Sequence, residues 1–209
     1  TRLTLFSPQA LLARLQRPLS VLTGGPVDAP VRQQTLRSTI EWSYCLLSEE
    51  AQRLFRRLSV FVNGCTLEAG EAVCCSGIEG VASFLDGVTT LIDNHLVQRR
   101  EQADGEVRLF LLETIHEYGL DCLRTHGEEE GTRQAHARYY LQLAETAQLE
   151  LNGSQQAVGF ERLAREHENL RTALYWTLEG PERSGRNERS REGLRLGVAL
   201  MRSWIIQGY

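Results

Sequence analysis

Apolar residues recur along most of this 209-residue chain at helical spacing, and the polar residues between them mark where each helix starts and stops. Ser7-Pro8 before "QALLARL" reads as an N-cap with proline at the first helical position. "TGGPVDAP" at 23–30 is a glycine- and proline-rich break. In "TLRSTIEWSYCLLSEE", Leu36, Ile40, Ser43 and Leu47 fall on one helical face with Tyr44 beside it. Ser48 is placed to cap a second helix whose first turn carries Glu49 and Glu50, which suit the positive end of the helix dipole. Leu54, Phe55 and Leu58 line one side of it, and Arg53, Arg56 and Arg57 are expected on the solvated side. Trp42 is expected in the core, against the stub at 3–15.

Thr66 predicts the cap of a short third helix, and Val81, Phe84, Leu85, Val88, Leu91 and Ile92 form the stripe of a fourth. The period then shortens. "LVQRREQADGEVRLFLL" predicts two short strands around the turn signal Asp104-Gly105. "ETIHEYGLDCLRTHG" returns to helix and ends at Gly127. Three helices, a hairpin and a closing helix are the element order of a winged-helix domain, with residues 79–93 in the recognition-helix slot. Other α+β arrangements share that order. Beyond it, amphipathic helices over 128–180 and a last one from Arg191, after a polar linker at 181–193, suggest stacked antiparallel pairs. The predicted class is mainly α, with one small hairpin.

Composition narrows the chemistry. A net charge of −4 gives no general attraction to nucleic acid or an anionic membrane. No stretch approaches the roughly 18 uninterrupted apolar residues of a membrane span. With no signal peptide's apolar core and no starting Met, the chain is expected to be a cytoplasmic piece of a longer protein. Five cysteines without C-x-x-C spacing read as reduced thiols, and no histidines pair as H-x-x-x-H, so no metal site is expected. All 23 basic residues are arginine. Without lysine there is no P-loop and no Schiff-base nucleophile, and G-x-G and G-x-S-x-G are absent too. Glu128-Glu129-Glu130 reads as a charged helix start and His167-Glu168 as an exposed helical dipeptide. No catalytic residue or cofactor is expected in this chain.

"RQQTLRSTIEWSYCLLSEEAQRLFRRLSVFVNGCTLEAGEAVC", "LIDNHLVQRRE", "FLLETIHEYGLDCL" and "REHENLRTALYWTLE" resemble a bacterial family of signal-transduction ATPases with numerous domains. The family includes LuxR-type and antibiotic-pathway regulators and is related to the NB-ARC switches of apoptosis and plant immunity. The resemblance implies an upstream P-loop module that binds ATP or ADP. It further implies residues 1–29 as the tail of a helical domain with its linker, 30–126 as a winged helix and 127–209 as a tetratricopeptide-like region. Such a segment would be a non-catalytic coupler in a transcriptional regulator. Its partners would be the upstream nucleotide-binding domain of the same chain and a protein or small-molecule signal on the helical array.

In NB-ARC relatives a Met-His-Asp triplet touches nucleotide phosphate, and the matching positions are Leu111, Leu112 and Glu113. Leu112 would face the nucleotide but cannot donate a hydrogen bond. His116, one turn on, reads as a partly exposed helix residue rather than a substitute sensor. From Ser76 to Gln98 the chain carries Glu79, Asp86 and Asp93 and no arginine, which argues against direct DNA reading by the slot helix. Arg99, Arg100 and Arg108 on the hairpin could touch a DNA backbone, but acids sit among them.

Overall fold

The computed structural model describes residues 36–75, 81–102, 104–150, 156–179 and 186–207. The expected helix after Ser7 and any contact of Trp42 with residues 3–15 lie outside them. The described chain is mainly helical with a small β-hairpin, and it forms two compact units. One holds the described residues of Thr1–Ser59 and Gly80–Gly127, the other those of Val60–Glu79 and Glu128–Tyr209.

In the first unit, α1 (Leu36–Cys45) turns at Leu47 into α2 (Glu49–Leu58). Ser48 starts α2 as its spacing predicts: its hydroxyl accepts from the Ala51 amide at 3.3 Å. Leu54, Phe55 and Leu58 are buried on the inner face of α2, with Ile40, Tyr44 and Leu47 in the same core. Leu36, the first residue of the expected face, is exposed at the start of α1. The α4 helix (Val81–Asp93) packs on α2 through Phe84, Val88 and Leu91. His95, at φ 58°, ends that turn, and the Leu96 amide reaches back to the Leu91 carbonyl at 3.0 Å. Strands β2 (Gln98–Glu101) and β3 (Val107–Phe110) pair antiparallel, with Gln98 opposite Phe110. The turn uses Gly105 at φ 83°, and the Asp104 carboxylate accepts the Glu106 amide at 3.0 Å.

Helix α5 (Glu113–Thr125) closes this unit against α1 and α2. Gly119 lets it approach α2: a Cβ there would lie 2.8 Å from the Ser59 Cβ and overlap its hydroxyl. Gly127, at φ 70°, stops the chain after α5 as expected.

The second unit begins with the short strand β1 (Cys65–Thr66) and α3 (Leu67–Cys74), which Thr66 caps through the Ala69 amide at 3.1 Å. The third helix of the winged-helix order is therefore grouped with the C-terminal helices. Around α6 (Glu129–Glu150) pack α3, α7 (Gln156–Arg165), α8 (His167–Leu178) and α9 (Arg186–Gln207). Ala137, Ala144 and Ala147 are buried along α6, and such small residues permit close helix approach. The expected polar linker at 181–193 is helical from Arg186 onward. Arg189 anchors it, stacking 3.5 Å from the Trp176 ring centroid and donating Nε to the Trp176 carbonyl at 3.0 Å.

Candidate functional site

The slot that a DNA reader would use is occupied by α4. Its outward positions are Ala82, Ser83, Leu85, Asp86, Thr89, Thr90 and Asp93. Thr89 donates its hydroxyl to the Leu85 carbonyl at 2.8 Å and Thr90 to that of Asp86 at 2.9 Å. Asn94 donates to the Thr90 carbonyl at 2.8 Å. Thr89, Thr90 and Asn94 are thus engaged by the helix's own backbone, and the charges on the outward face are the carboxylates of Asp86 and Asp93.

The hairpin beside it is mixed. Arg99 lies 3.7 Å from Glu101, and Arg100 sits over the Phe110 ring at 4.8 Å while donating to Gln98 at 3.2 Å. Arg108, expected as a possible backbone contact, is buried, because β3 is the covered strand of the pair and β2 the open one.

Leu112 occupies the N-cap position of α5 in an extended conformation, makes no side-chain cap, and is 48% exposed. Its carbonyl accepts the His116 amide at 2.8 Å. Leu111 and His116 are half-buried and Glu113 is exposed in the first turn. The three side chains at 111–113 place no hydrogen-bond donor at this end of the helix.

The arginines of α2 correct one expectation. Arg53 lies 3.7 Å from Glu49 one turn back, on the outer side. Arg56 is only 4% exposed and donates Nη1 to the Tyr44 hydroxyl at 2.7 Å. Tyr44 in turn packs edge-on against Tyr118 with centroids 5.8 Å apart, and tilted on Phe55 at 5.6 Å. Burial, with the hydrogen bond the hydroxyl donates to Cys122, pushes the Tyr118 phenol far above its ordinary range. Burial likewise raises the Cys122 thiol, so it is not a poised nucleophile. Trp42 also departs from expectation at 46% exposed. It lies two residues from both Ile40 and Tyr44, roughly 200° around the helix from each, so burying that pair turns the indole outward.

The second unit contains a buried polar cluster that sequence reasoning missed. Tyr140 donates its hydroxyl to Glu166 Oε2 at 2.8 Å, and Asn169 Nδ2 donates to the same oxygen at 3.0 Å. Asn169 Nδ2 also reaches the Gly64 carbonyl at 3.0 Å, while its Oδ1 accepts the Val62 amide at 2.9 Å. His136 Nε2 lies 3.5 Å from that Oδ1, and its ring packs 4.6 Å from Tyr140 and 5.2 Å from Phe61. All four polar residues are buried. Burial drives the His136 pKa down to about 3 and the Tyr140 phenol well up. The available signal was the i, i+3 pair Glu166 and Asn169, which flanks the dipeptide His167-Glu168. That dipeptide is half-buried rather than exposed, with His167 6.4 Å from the Trp204 ring.

This cluster ties the turn at Asn63 and Gly64, both at positive φ, to α8. Its groups are sealed from solvent and locked in mutual hydrogen bonds, an arrangement that specifies a fold rather than one that moves protons to a substrate. Among the described residues no cluster of histidine, cysteine, aspartate and glutamate could hold a metal. None of the described helices is long and apolar enough to cross a membrane.

No family model and no solved structure matches the chain. It is similar over 98% of its length, at 36% identity, to the "Putative HTH-type transcriptional regulator Rv0890c" of Mycobacterium tuberculosis H37Rv. The same identity and coverage relate it to a protein with that description in Mycobacterium bovis. An uncharacterized Mycobacterium tuberculosis protein is 31% identical over 71% of the chain, which spans 37% of that relative. The chain spans 22% of the regulators' length, so what it resembles is one segment of a much longer transcriptional regulator.

Proposed function

We propose that this chain is a non-catalytic regulatory and interaction segment of a longer transcriptional regulator, and that it does not itself read DNA. The observation that carries the reading is the outer face of α4, where Asp86 and Asp93 stand beside Thr89 and Thr90, whose hydroxyls are bonded to the helix's own backbone. A reading helix needs arginine, asparagine or glutamine aimed at base edges over a cationic surround. The regulators' length supports the same reading, since most of each lies outside the matched segment and can hold the DNA-binding part. The finer proposal rests on the family resemblance. An upstream nucleotide module would bind ATP, Leu112 would lie near it without sensing phosphate, and the C-terminal helices would form a tetratricopeptide-like receiver of the signal.

A second reading is favoured by the HTH-type description of the relatives and by Arg99 and Arg100 on the open strand of the hairpin. In it the first unit is a winged-helix DNA-binding module whose wing grips the backbone.

Fluorescence anisotropy with a labelled duplex, across a salt series, separates the two. The proposed reading expects weak binding that vanishes by physiological ionic strength. Binding that survives that salt and is lost in Arg99→Glu/Arg100→Glu supports the second reading.

A further inference from the structure

We propose that Asn63-Gly64 is a latent self-modification site: the Asn169 amide holds it unreactive, and once that bracket opens the pair converts to a longer link that Asn169 cannot grip again. Asn63 and Gly64 stand side by side in the left-handed region, at φ 59° and 79°, which asparagine and glycine tolerate better than other residues. Asn63 is exposed, while Phe61 and Cys65 on either side are buried. Phe61 packs edge-on against His136 and Tyr140 of α6. Asn169 Oδ1 accepts the Val62 amide at 2.9 Å, and its Nδ2 donates to the Gly64 carbonyl at 3.0 Å. One side-chain amide therefore holds the backbone on both sides of Asn63.

An asparagine followed by glycine is chemically labile, because glycine has no Cβ to hinder attack by its own backbone nitrogen. That nitrogen gives its proton to hydroxide and bonds to the Asn63 Cγ. The bond from Cγ to the side-chain nitrogen breaks, ammonia leaves, and a succinimide ring remains. Water then opens the ring at either carbonyl, giving aspartate or isoaspartate. Closing the ring requires rotation about the Cα–C bond of Asn63 until the Gly64 nitrogen meets Cγ. The Val62 N–H and the Gly64 C=O are both fixed on one planar amide, so the rotation cannot proceed while both bonds hold.

The product keeps the bracket open. Isoaspartate routes the main chain through Cβ and inserts one methylene between the two backbone atoms that Asn169 spans. A rigid amide cannot make both bonds across the longer chain. Asn169 Nδ2 also donates to Glu166 Oε2 at 3.0 Å, the oxygen that Tyr140 shares at 2.8 Å, so the change reaches the buried cluster. Opening of this turn is thereby recorded permanently, with time and base as the only inputs.

Peptide mapping by mass spectrometry of the 209-residue chain, held at mildly alkaline pH without denaturant, tests this. It reads the conversion at residue 63 apart from the other Asn-Gly pair, at 152–153. A synthetic peptide of residues 61–66 supplies the unrestrained rate. The folded chain is expected to convert at residue 63 about tenfold or more slowly than the peptide, since only opened molecules react. Asn169→Leu should accelerate the conversion. Leu200→Ala loosens the same unit away from the bracket, and with urea added until the two variants have equal folded fractions it should accelerate conversion less. The isoaspartyl chain, isolated by ion exchange, should unfold at lower urea than the parent. Equal rates in folded chain and peptide, equal acceleration by the two variants, or an unchanged urea midpoint after conversion overturns the proposal.

Discussion

Arg56 Nη1 lies 2.7 Å from the Tyr44 hydroxyl, and both side chains are buried in the core of the first unit. The pair joins α2 to α1 by a charge-assisted bond where a phosphate-binding arginine would have to be free. Tyr44→Phe keeps the ring against Phe55 and Tyr118 but removes the acceptor. Losing one partner of a buried charged group costs about 1–3 kcal/mol, and urea denaturation of the variant should show a loss of that size. An unchanged midpoint would mean the guanidinium does not depend on the phenol.

Trp42→Ala should cost within about 1 kcal/mol, the usual range for surface positions, because the indole faces outward at 46% exposure. The same urea series measures it. A loss as large as a core truncation would place the indole in a packed contact.

Asn169 satisfies the Val62 amide, the Gly64 carbonyl and Glu166 at once. Asn169→Leu keeps the volume and removes all three bonds, although Glu166 retains Tyr140. With a lost buried hydrogen-bond partner costing about 1–3 kcal/mol, a loss of several kcal/mol is expected, enough to unfold the second unit at modest urea. Far-UV circular dichroism against urea reports it.

His136 adds a pH dependence whose sign follows from its depressed pKa. Above the ordinary value of 6.5, both folded and unfolded states hold it neutral and its stabilising contribution is complete. Below 6.5 the unfolded chain takes up a proton that the folded chain refuses until about 3. Stability should therefore fall across that window by about 1.4 kcal/mol per pH unit from this residue alone. The difference between the parent and His136→Gln, followed by urea denaturation from pH 7 to 4, isolates the slope from that of the carboxylates. Parallel curves would show a solvent-reachable ring.

Local signals were legible because each acts over a few residues. Ser48 and Thr66 bond the amides three positions on, and Asp104-Gly105 and Gly127 supply the turn geometries their spacing predicts. What stayed hidden is tertiary. Arg56 and Arg108 look like surface cations until Tyr44 and the covered strand enclose them. Glu166 and Asn169 look like ordinary helix polar residues until the chain a hundred positions earlier brings Val62 and Gly64 to them. In the first turn of α9, Arg189 stacks on Trp176 across the expected linker, a contact that apolar periodicity does not signal.

The central claim is that this segment serves a transcriptional regulator without reading DNA, and it rests on the acidic, internally bonded face of α4. Selection of bound duplexes from a random pool, with the purified chain at physiological ionic strength, tests it most directly. The account predicts that successive rounds enrich no sequence. Recovery of a consensus motif whose binding is lost in Thr89→Ala/Thr90→Ala would contradict it and assign α4 the reading role.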